Sequence, residues 1–267
     1  MATDVTPPIP AVKSHAQVVS SFQQRGFVHI PEIITKREAA DFREAALACQ
    51  AKVKDFAAGG SIFTQLVNVW EQDETMRQLT LHPNVAAMAE RLAGVALRLW
   101  HDQVLIKQPQ KSTATEFHQD QPYWPHLNST RPISAWIALG DVPVERGCMS
   151  FIPGSHRYVD MAAQNLSDPQ SLFQMAPELA WVERVTVPLR AGDCTFHHGR
   201  CAHMAGPNLT DEARVAHVVI FVETDTRFSG TKHPCTDKLS LKAGEMLAGP
   251  HFPEVRAFAS CRSGRRA

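Results

Sequence analysis

The sequence predicts a mainly β protein, a β-sandwich or jelly roll with helical support on its outer face. Helical spacing of apolar residues is confined to residues 15–94, and from residue 95 the chain runs as short β-rich segments parted by Gly, Pro, Asn and Asp clusters. No alternation of helix and strand follows residue 95, as a doubly wound sheet would require. At 267 residues and 44% hydrophobic content the chain can bury a sizeable core. One domain spanning 1–267 is expected: helical support over 15–94, a jelly-roll core over 95–230 and an irregular C-terminal wrap over 231–267.

Residues 1–14, with Pro7, Pro8 and Pro10, read as a loose leader. Val18, Val19 and Phe22 give one apolar helical face over 15–24, and Gly26 stands where a helix stops. A strand, Phe27-Val28-His29-Ile30, should follow. Residues 36–53 carry Ala and Leu at helical spacing between charges, and Gly59-Gly60 breaks that helix. The 61–70 stretch is apolar with Gln65, Asn68 and Trp70 interleaved, which makes Gln65 and Asn68 candidates for a pocket wall. A third helix over 83–92 ends at Gly94, and 95–106 reads as strand. Further short strands are expected near 115–119, 133–141, 148–152, 184–188, 193–197, 200–204 and 214–223. Residues 160–182, with Pro169 and Pro177, read as an insertion covering the barrel mouth, and the proline- and glycine-rich tail from Thr231 wraps the domain.

Lys plus Arg and Asp plus Glu both total 27, and the pI is near 7.2, which argues against a nucleic-acid or membrane surface and for a small-molecule partner. No apolar run approaches the roughly 18 residues of a membrane span, and the N-terminus lacks the pattern of a secretory signal. Six cysteines without a C-x-x-C pair fit a reduced, cytoplasmic setting.

The chemistry gathers in two stretches, Phe117-His118-Gln119-Asp120-Gln121-Pro122-Tyr123-Trp124 and Phe196-His197-His198-Gly199-Arg200-Cys201-Ala202-His203. On an extended strand His118 and Asp120 share a face, ~7 Å apart at Cα. With one distant histidine they complete a 2-His-1-carboxylate face, which suits non-haem Fe(II). In a chain with 13 His and 27 acidic residues His-x-Asp alone is a weak signal, and a surface His beside a solvated Asp is the plainer reading of the triplet. His203 is preferred over His197 and His198 because Gly206-Pro207-Asn208 turns the chain before the strand over 215–222. A hairpin centred on Asn208 and Leu209 would set residue 203 opposite Arg214, Cα atoms ~4.5–5.5 Å apart. An unpaired buried guanidinium costs several kcal/mol, so Arg214 calls for an anion. A dicarboxylate that chelates the metal supplies one, and the formal charges of divalent iron, Asp120, a 2-oxoglutarate dianion and Arg214 cancel.

His118-Gln119-Asp120 with Pro122-Tyr123-Trp124, Gly147-Cys148, Ile152-Pro153-Gly154-Ser155-His156, Gly192-Asp193, and His203-x-x-Gly206-Pro207-Asn208 with Arg214 resemble the phytanoyl-CoA dioxygenase family, over about Gly26 to Pro253. The resemblance implies a cupin-like double-stranded β-helix enzyme that uses Fe(II), 2-oxoglutarate and O2. It implies His118, Asp120 and His203 as iron ligands at the catalytic centre, Arg214 as the 2-oxoglutarate anchor and Trp136 as an aromatic beside the cosubstrate. Gln103 and Lys107 fall on one side of the preceding strand as further cosubstrate or substrate contacts, although Leu97 and Leu99 stand where many relatives carry a polar residue. Tyr123, Trp124 and Phe228 join Gln65 and Asn68 as substrate-pocket residues. His197, His198 and His217 are expected to support or pack. Halogenating relatives carry a small residue at the carboxylate position, so Asp120 disfavours halogenation.

The expected activity is hydroxylation of an unactivated C–H bond of a small, mostly apolar metabolite, with release of succinate and CO2; no cluster of Lys and Arg suits a CoA phosphate. Desaturation, epimerisation or ring formation are alternatives with the same cofactors. A non-catalytic cupin-like binding protein and a zinc hydrolase are the alternatives of other classes.

Overall fold

The computed structural model of the chain describes residues 14–53, 55 and 62–256. The leader over 1–13, the Gly59-Gly60 break and the end of the tail from 257 lie outside the described residues.

Helix α1 (His15–Arg25) begins at a Ser14 capping box with Gln17, and α2 (Lys36–Cys49) begins at a Thr35 capping box with Glu38. Between them runs β1 (Phe27–Ile30). Then follow β2 (Thr64–Val67), α3 (Glu74–Thr80), α4 (Pro83–Ala93), β3 (Leu97–Lys107), β4 (Thr115–His118), β5 (Ile133–Ala138) and β6 (Met149–Phe151). The short helix α5 (Ser171–Met175) precedes β7 (Val185–Val187), β8 (Cys194–His198), β9 (His203–Ala205) and β10 (Arg214–Glu223). The β2 strand and α3 were not among the expected elements. The strand expected over 200–204 begins only at His203, because the Cys201 amide bonds back to the His198 carbonyl and spends 199–201 on a turn.

The strands form two antiparallel sheets, β1-β8-β5-β10-β3-β2 and β4-β9-β6-β7, and this sandwich is the jelly roll expected from the sequence. Side-chain alternation on β10 gives each face of the large sheet its partner. Val215, Val219 and Phe221 pack with Phe42, Ala46, Leu79 and Ala89 of the helices, while Ala216, Val218, Ile220 and Val222 pack inward with Phe27 and Phe151. Phe27 and Phe151 stack across the sandwich with ring centroids 4.3 Å apart.

A bulge interrupts the β10–β3 ladder: Ile220 pairs His101 and Phe221 pairs Leu99, leaving Trp100 without an opposite residue. Leu97 and Leu99 therefore face the helix layer, whereas Trp100 and His101 are successive residues that both serve the interior.

One expectation is corrected. His203 and Arg214 are not partners in a hairpin: His203 pairs His118 in the small sheet, and Arg214 pairs Lys107 in the large one. The 206–213 link crosses between sheets. The Asn208 side chain shapes it, donating to the Lys107 and Glu212 carbonyls. Gly147, at φ +77°, lies against the Gly206 carbonyl where a Cβ would come within 2.5 Å, so the crossover needs glycine there.

The 160–182 insertion docks on β4: the Glu116 amide donates to the Leu166 carbonyl, the Gln119 amide to Gln164 Oε1, and the Tyr123 hydroxyl to the Gln164 carbonyl. Beyond residue 231 the tail packs on β3, with Leu99 N–H on the Pro253 carbonyl and Phe252 stacked on Trp100. Among the described residues no helix is long and apolar enough to cross a membrane.

Candidate metal centre

His118 closes β4 and His203 opens β9, and the ladder sets the two directly opposite each other, ring centroids 4.4 Å apart. Each ring is oriented by a carbonyl two residues upstream: Glu116 O lies 2.7 Å from His118 Nδ1, and Cys201 O lies 3.0 Å from His203 Nδ1. A carbonyl can only accept, so the proton sits on Nδ1 and the Nε2 lone pair is left for a metal.

Asp120 joins them by a different route from the expected strand alternation. The strand ends at His118, and Asp120 has helical dihedrals at the start of the tight turn Gln121–Tyr123. Its Oδ1 lies 3.5 Å from His118 Nε2 and 3.7 Å from His203 Nε2. Its Oδ2 is held from the large sheet, 3.3 Å from Ser134 Oγ and 3.4 Å from His197 Nε2. The backbone between the ligands is pinned by Gln119, whose side-chain Nε2 donates to the Ser155, Tyr158 and Arg200 carbonyls.

Burial raises the Asp120 carboxyl, but His203, His118 and His197 outweigh it and hold the group well below the usual carboxylate range. Burial, helped by neighbouring His118, pushes His203 down to about 3, so its imidazole is neutral at pH 7. A deprotonated carboxylate and neutral imidazoles are the forms that ligate. One ligand atom from each of the three residues lies within 4.8 Å of the others. Two imidazole nitrogens and one carboxylate oxygen converge on one point, a donor set that fits a divalent iron with further positions open.

These residues open into a cavity of about 350 Å³ between the sheets. Arg214 lines it from the large sheet. Its side chain is buried, with the guanidinium carbon 5.2 Å from the Trp136 ring centre and Nη1 donating weakly to the Gly147 carbonyl at 3.4 Å. Nε makes no hydrogen bond, and among the described residues no carboxylate lies within ion-pair distance. Burial pushes Arg214 down to about 10, leaving it charged at neutral pH.

Gln103, Gln65, Trp136, Tyr123 and Trp124 line the same cavity, with Gln65 Nε2 donating to Gln103 Oε1 at 2.8 Å. Three other expected pocket residues are placed elsewhere. Lys107, paired with Arg214 in the ladder, turns its ammonium to the Thr113, Ala205 and Gly206 carbonyls and braces the crossover. Phe228 is packed in the inner core, and Asn68 hydrogen-bonds Cys235. His198 bonds the Thr130 carbonyl, and His217 bonds Thr80 behind the large sheet. Ser134, His101, His233 and Leu166 were not singled out in the sequence. Ser134 was legible in principle, because it shares a strand face with Trp136 two residues on.

The family model for phytanoyl-CoA dioxygenase matches residues 22–216. The chain belongs to the phytanoyl-CoA dioxygenase family. It is 31% identical over 157 residues to phytanoyl-CoA dioxygenase domain-containing protein 1 of Mus musculus, a match covering 57% of the chain and 54% of that protein, so it spans about half of the mouse protein's length. Among solved structures it is similar to the non-heme alpha ketoglutarate dependent epimerase SnoN from nogalamycin biosynthesis. That likeness has a TM-score of 0.79 at 34% identity and covers 91% of this chain and 98% of the other. SnoN has also been solved in complex with Fe3+, alpha ketoglutarate and nogalamycin RO. The carbocyclase SnoK from the same biosynthesis is similar at 36% identity and TM-score 0.79, over 89% of this chain and 94% of that one.

Proposed function

We propose that the protein is an Fe(II)- and 2-oxoglutarate-dependent oxygenase that oxidises a C–H bond of a small organic metabolite. The observation that carries this reading is the convergence of His118, Asp120 and His203 on one point of a cavity that also receives a buried arginine without an acidic partner among the described residues. His118, Asp120 and His203 would hold the iron, and Arg214 the distal carboxylate of 2-oxoglutarate. Iron with 2-oxoglutarate and dioxygen supplies the oxidising equivalent, with succinate and CO2 as coproducts. The chain's own part is binding and orientation. His197 and Ser134 fix which carboxylate oxygen of Asp120 faces the imidazoles. Trp136 screens one face of Arg214 from water, which strengthens its grip on an anion. The aromatic and aliphatic wall, with Trp124, Met149, Val218 and Ile220, receives the apolar body of a substrate, and the Gln65–Gln103 amide pair offers it hydrogen bonds.

A non-catalytic binding protein would have no use for three preserved ligands and a cationic anchor together. A zinc hydrolase would leave Arg214 without a task. Hydroxylation is one outcome of C–H oxidation. Similarity to SnoN and SnoK, each at over a third identity and along nearly the whole length, favours epimerisation or ring formation as the second reading.

The test is anaerobic addition of Fe(II) and then 2-oxoglutarate to metal-free protein, read by the visible metal-to-ligand charge-transfer band, with His203→Ala and Arg214→Ala alongside. The band is expected in wild type and lost or weakened in both variants; its absence from folded, iron-loaded wild type overturns the proposal. Product mass then separates the outcomes: hydroxylation adds one oxygen, epimerisation leaves the mass unchanged, and ring formation or desaturation removes two hydrogens.

A further inference from the structure

A second group of ligating side chains borders the same cavity as the triad. His101 of β3, with His233 and Cys235 from the tail, brings two imidazole nitrogens and a thiol sulfur within 4.8 Å of one another. The bulge at Trp100 is what turns His101 inward, and the tail that packs on β3 delivers His233-Pro234-Cys235 against it. His101 is 1% exposed. Its Nδ1 sits 3.3 Å from the Asp102 carbonyl, which places the proton there and leaves Nε2 as a bare lone pair; that Nε2 is buried and has no hydrogen-bond partner in the protein. A buried imidazole nitrogen without a partner is destabilising, so a strand bulge that creates one calls for a ligand.

We propose that His101, His233 and Cys235 form a second metal site, distinct from the iron triad, for a borderline-soft divalent ion such as Zn(II). The donor set decides the class of ion. One sulfur and two imidazoles match tetrahedral zinc chemistry, whereas the oxygen-bearing triad at His118, Asp120 and His203 suits iron. His101 and His233 line the cavity, so an ion held by the group would be reached from it. His126, whose ring nitrogens are both buried and without a hydrogen-bond partner among the described residues, stands beside Trp100 with ring centroids 4.6 Å apart.

The protonation states are consistent with ligation. Burial drives His101 down to about 3, with His233 adding to it, and drives His233 down to about 4, so both rings are neutral near pH 7. Burial raises the Cys235 thiol well above its ordinary value. Binding therefore exchanges the S–H bond for an S–metal bond and releases that proton to solvent, one per ion. In the metal-free arrangement His233 Nδ1 accepts the Cys235 amide at a long 3.2 Å, a contact that metal ligation through that nitrogen replaces.

Co(II) titration of the full-length, metal-free protein tests the site, because a cysteine ligand gives Co(II) a near-ultraviolet sulfur-to-metal charge-transfer band and the iron triad has no sulfur. Wild type should bind two Co(II) per chain, one in each group. The band should persist in His118→Ala, which removes a triad ligand, and vanish in Cys235→Ser. His101→Gln and His233→Gln leave the thiol in place, and each should weaken Co(II) affinity at the band by about ten-fold or more, so the test does not depend on how Cys235→Ser folds. Absence of the band from wild type, or its survival in Cys235→Ser, overturns the proposal.

Discussion

Replacing Arg214 with Met should raise the stability of the ligand-free protein and abolish its stabilisation by 2-oxoglutarate. The guanidinium is 2% exposed, with an unbonded Nε and a single long hydrogen bond to a carbonyl. Holding such a charge out of water costs on the order of 3 kcal/mol, and a thioether of similar length packs against Trp136 without that cost. With 2-oxoglutarate bound, the balance reverses. In the proposed complex two charge-assisted hydrogen bonds at about 1.5–3 kcal/mol each would hold the distal carboxylate, and their loss would weaken binding by roughly two to four decades. Thermal unfolding under nitrogen, with Fe(II) and with 2-oxoglutarate at about 100 times its wild-type Kd, reads both effects. Wild type gains about 2.7 kcal/mol from the ligand, an upward shift of roughly 5–11 °C for a chain of this size. Arg214→Met should start higher than wild type and gain almost nothing. A variant that starts lower than wild type, or that keeps the full ligand shift, refutes the anchor.

Three further outcomes follow from the packing. Phe151→Ala removes the ring stacked on Phe27 and lying 6.0 Å from His203; it should cost about 3–5 kcal/mol, seen as a fall in thermal midpoint of roughly 6–20 °C. Glu223 accepts from Ser129 Oγ, Thr130 N, Thr130 Oγ1 and Arg131 N at 2.6–3.0 Å, so Glu223→Gln turns an amide N–H toward donors; a loss of about 1.5–3 kcal/mol is expected by denaturant unfolding. Burial raises the fully buried Asp102 to about 7, against the hydrogen bonds from Thr80 and Trp70. A carboxyl whose folded value exceeds its unfolded one favours folding below about 4, and that contribution is lost as pH rises through about 7. Wild-type stability should therefore fall relative to Asp102→Asn across that window, and parallel urea-midpoint profiles for the two would refute the assignment.

The jelly roll was legible because its strands carry local signals: alternating apolar residues on 214–223 and turn residues at each boundary. The clustering of His118, Asp120 and His203 was legible because His118-x-Asp120 and His203 sit in a motif order that resembles a family. What failed was long-range pairing. A Gly-Pro-Asn turn between two strands looks the same whether the chain doubles back or crosses to the other sheet, and only the packing of Gly147 on Gly206 and the Asn208 bonds distinguish the two. Lys107 was assigned to the cavity from its strand face, since no local pattern reveals that three carbonyls from 113, 205 and 206 converge on its ammonium. His101 escaped notice for a related reason: strand alternation is counted residue by residue, and a bulge at Trp100 shifts the count without leaving a glycine or proline to mark it. The short β2 was hidden in an apolar stretch without a clean period, and α3 is a two-turn helix of mostly polar residues with only Met76 and Leu79 to mark its buried face.

The crossover has a consequence for selectivity. The two histidines of the proposed iron triad ride on the small sheet and Arg214 on the large one, so the span between metal and anchor would be set by the gap between two packed faces, ~10 Å backbone to backbone. A cosubstrate that must touch both is measured by length, as a calliper measures a rod. The side chains that hold the gap open, Phe27 against Phe151 among them, would then set which chain length of 2-oxo diacid can reach from jaw to jaw. Trimming such a spacer ring would then alter the preference between 2-oxoglutarate and its shorter or longer homologues while every residue that touches the cosubstrate stays in place.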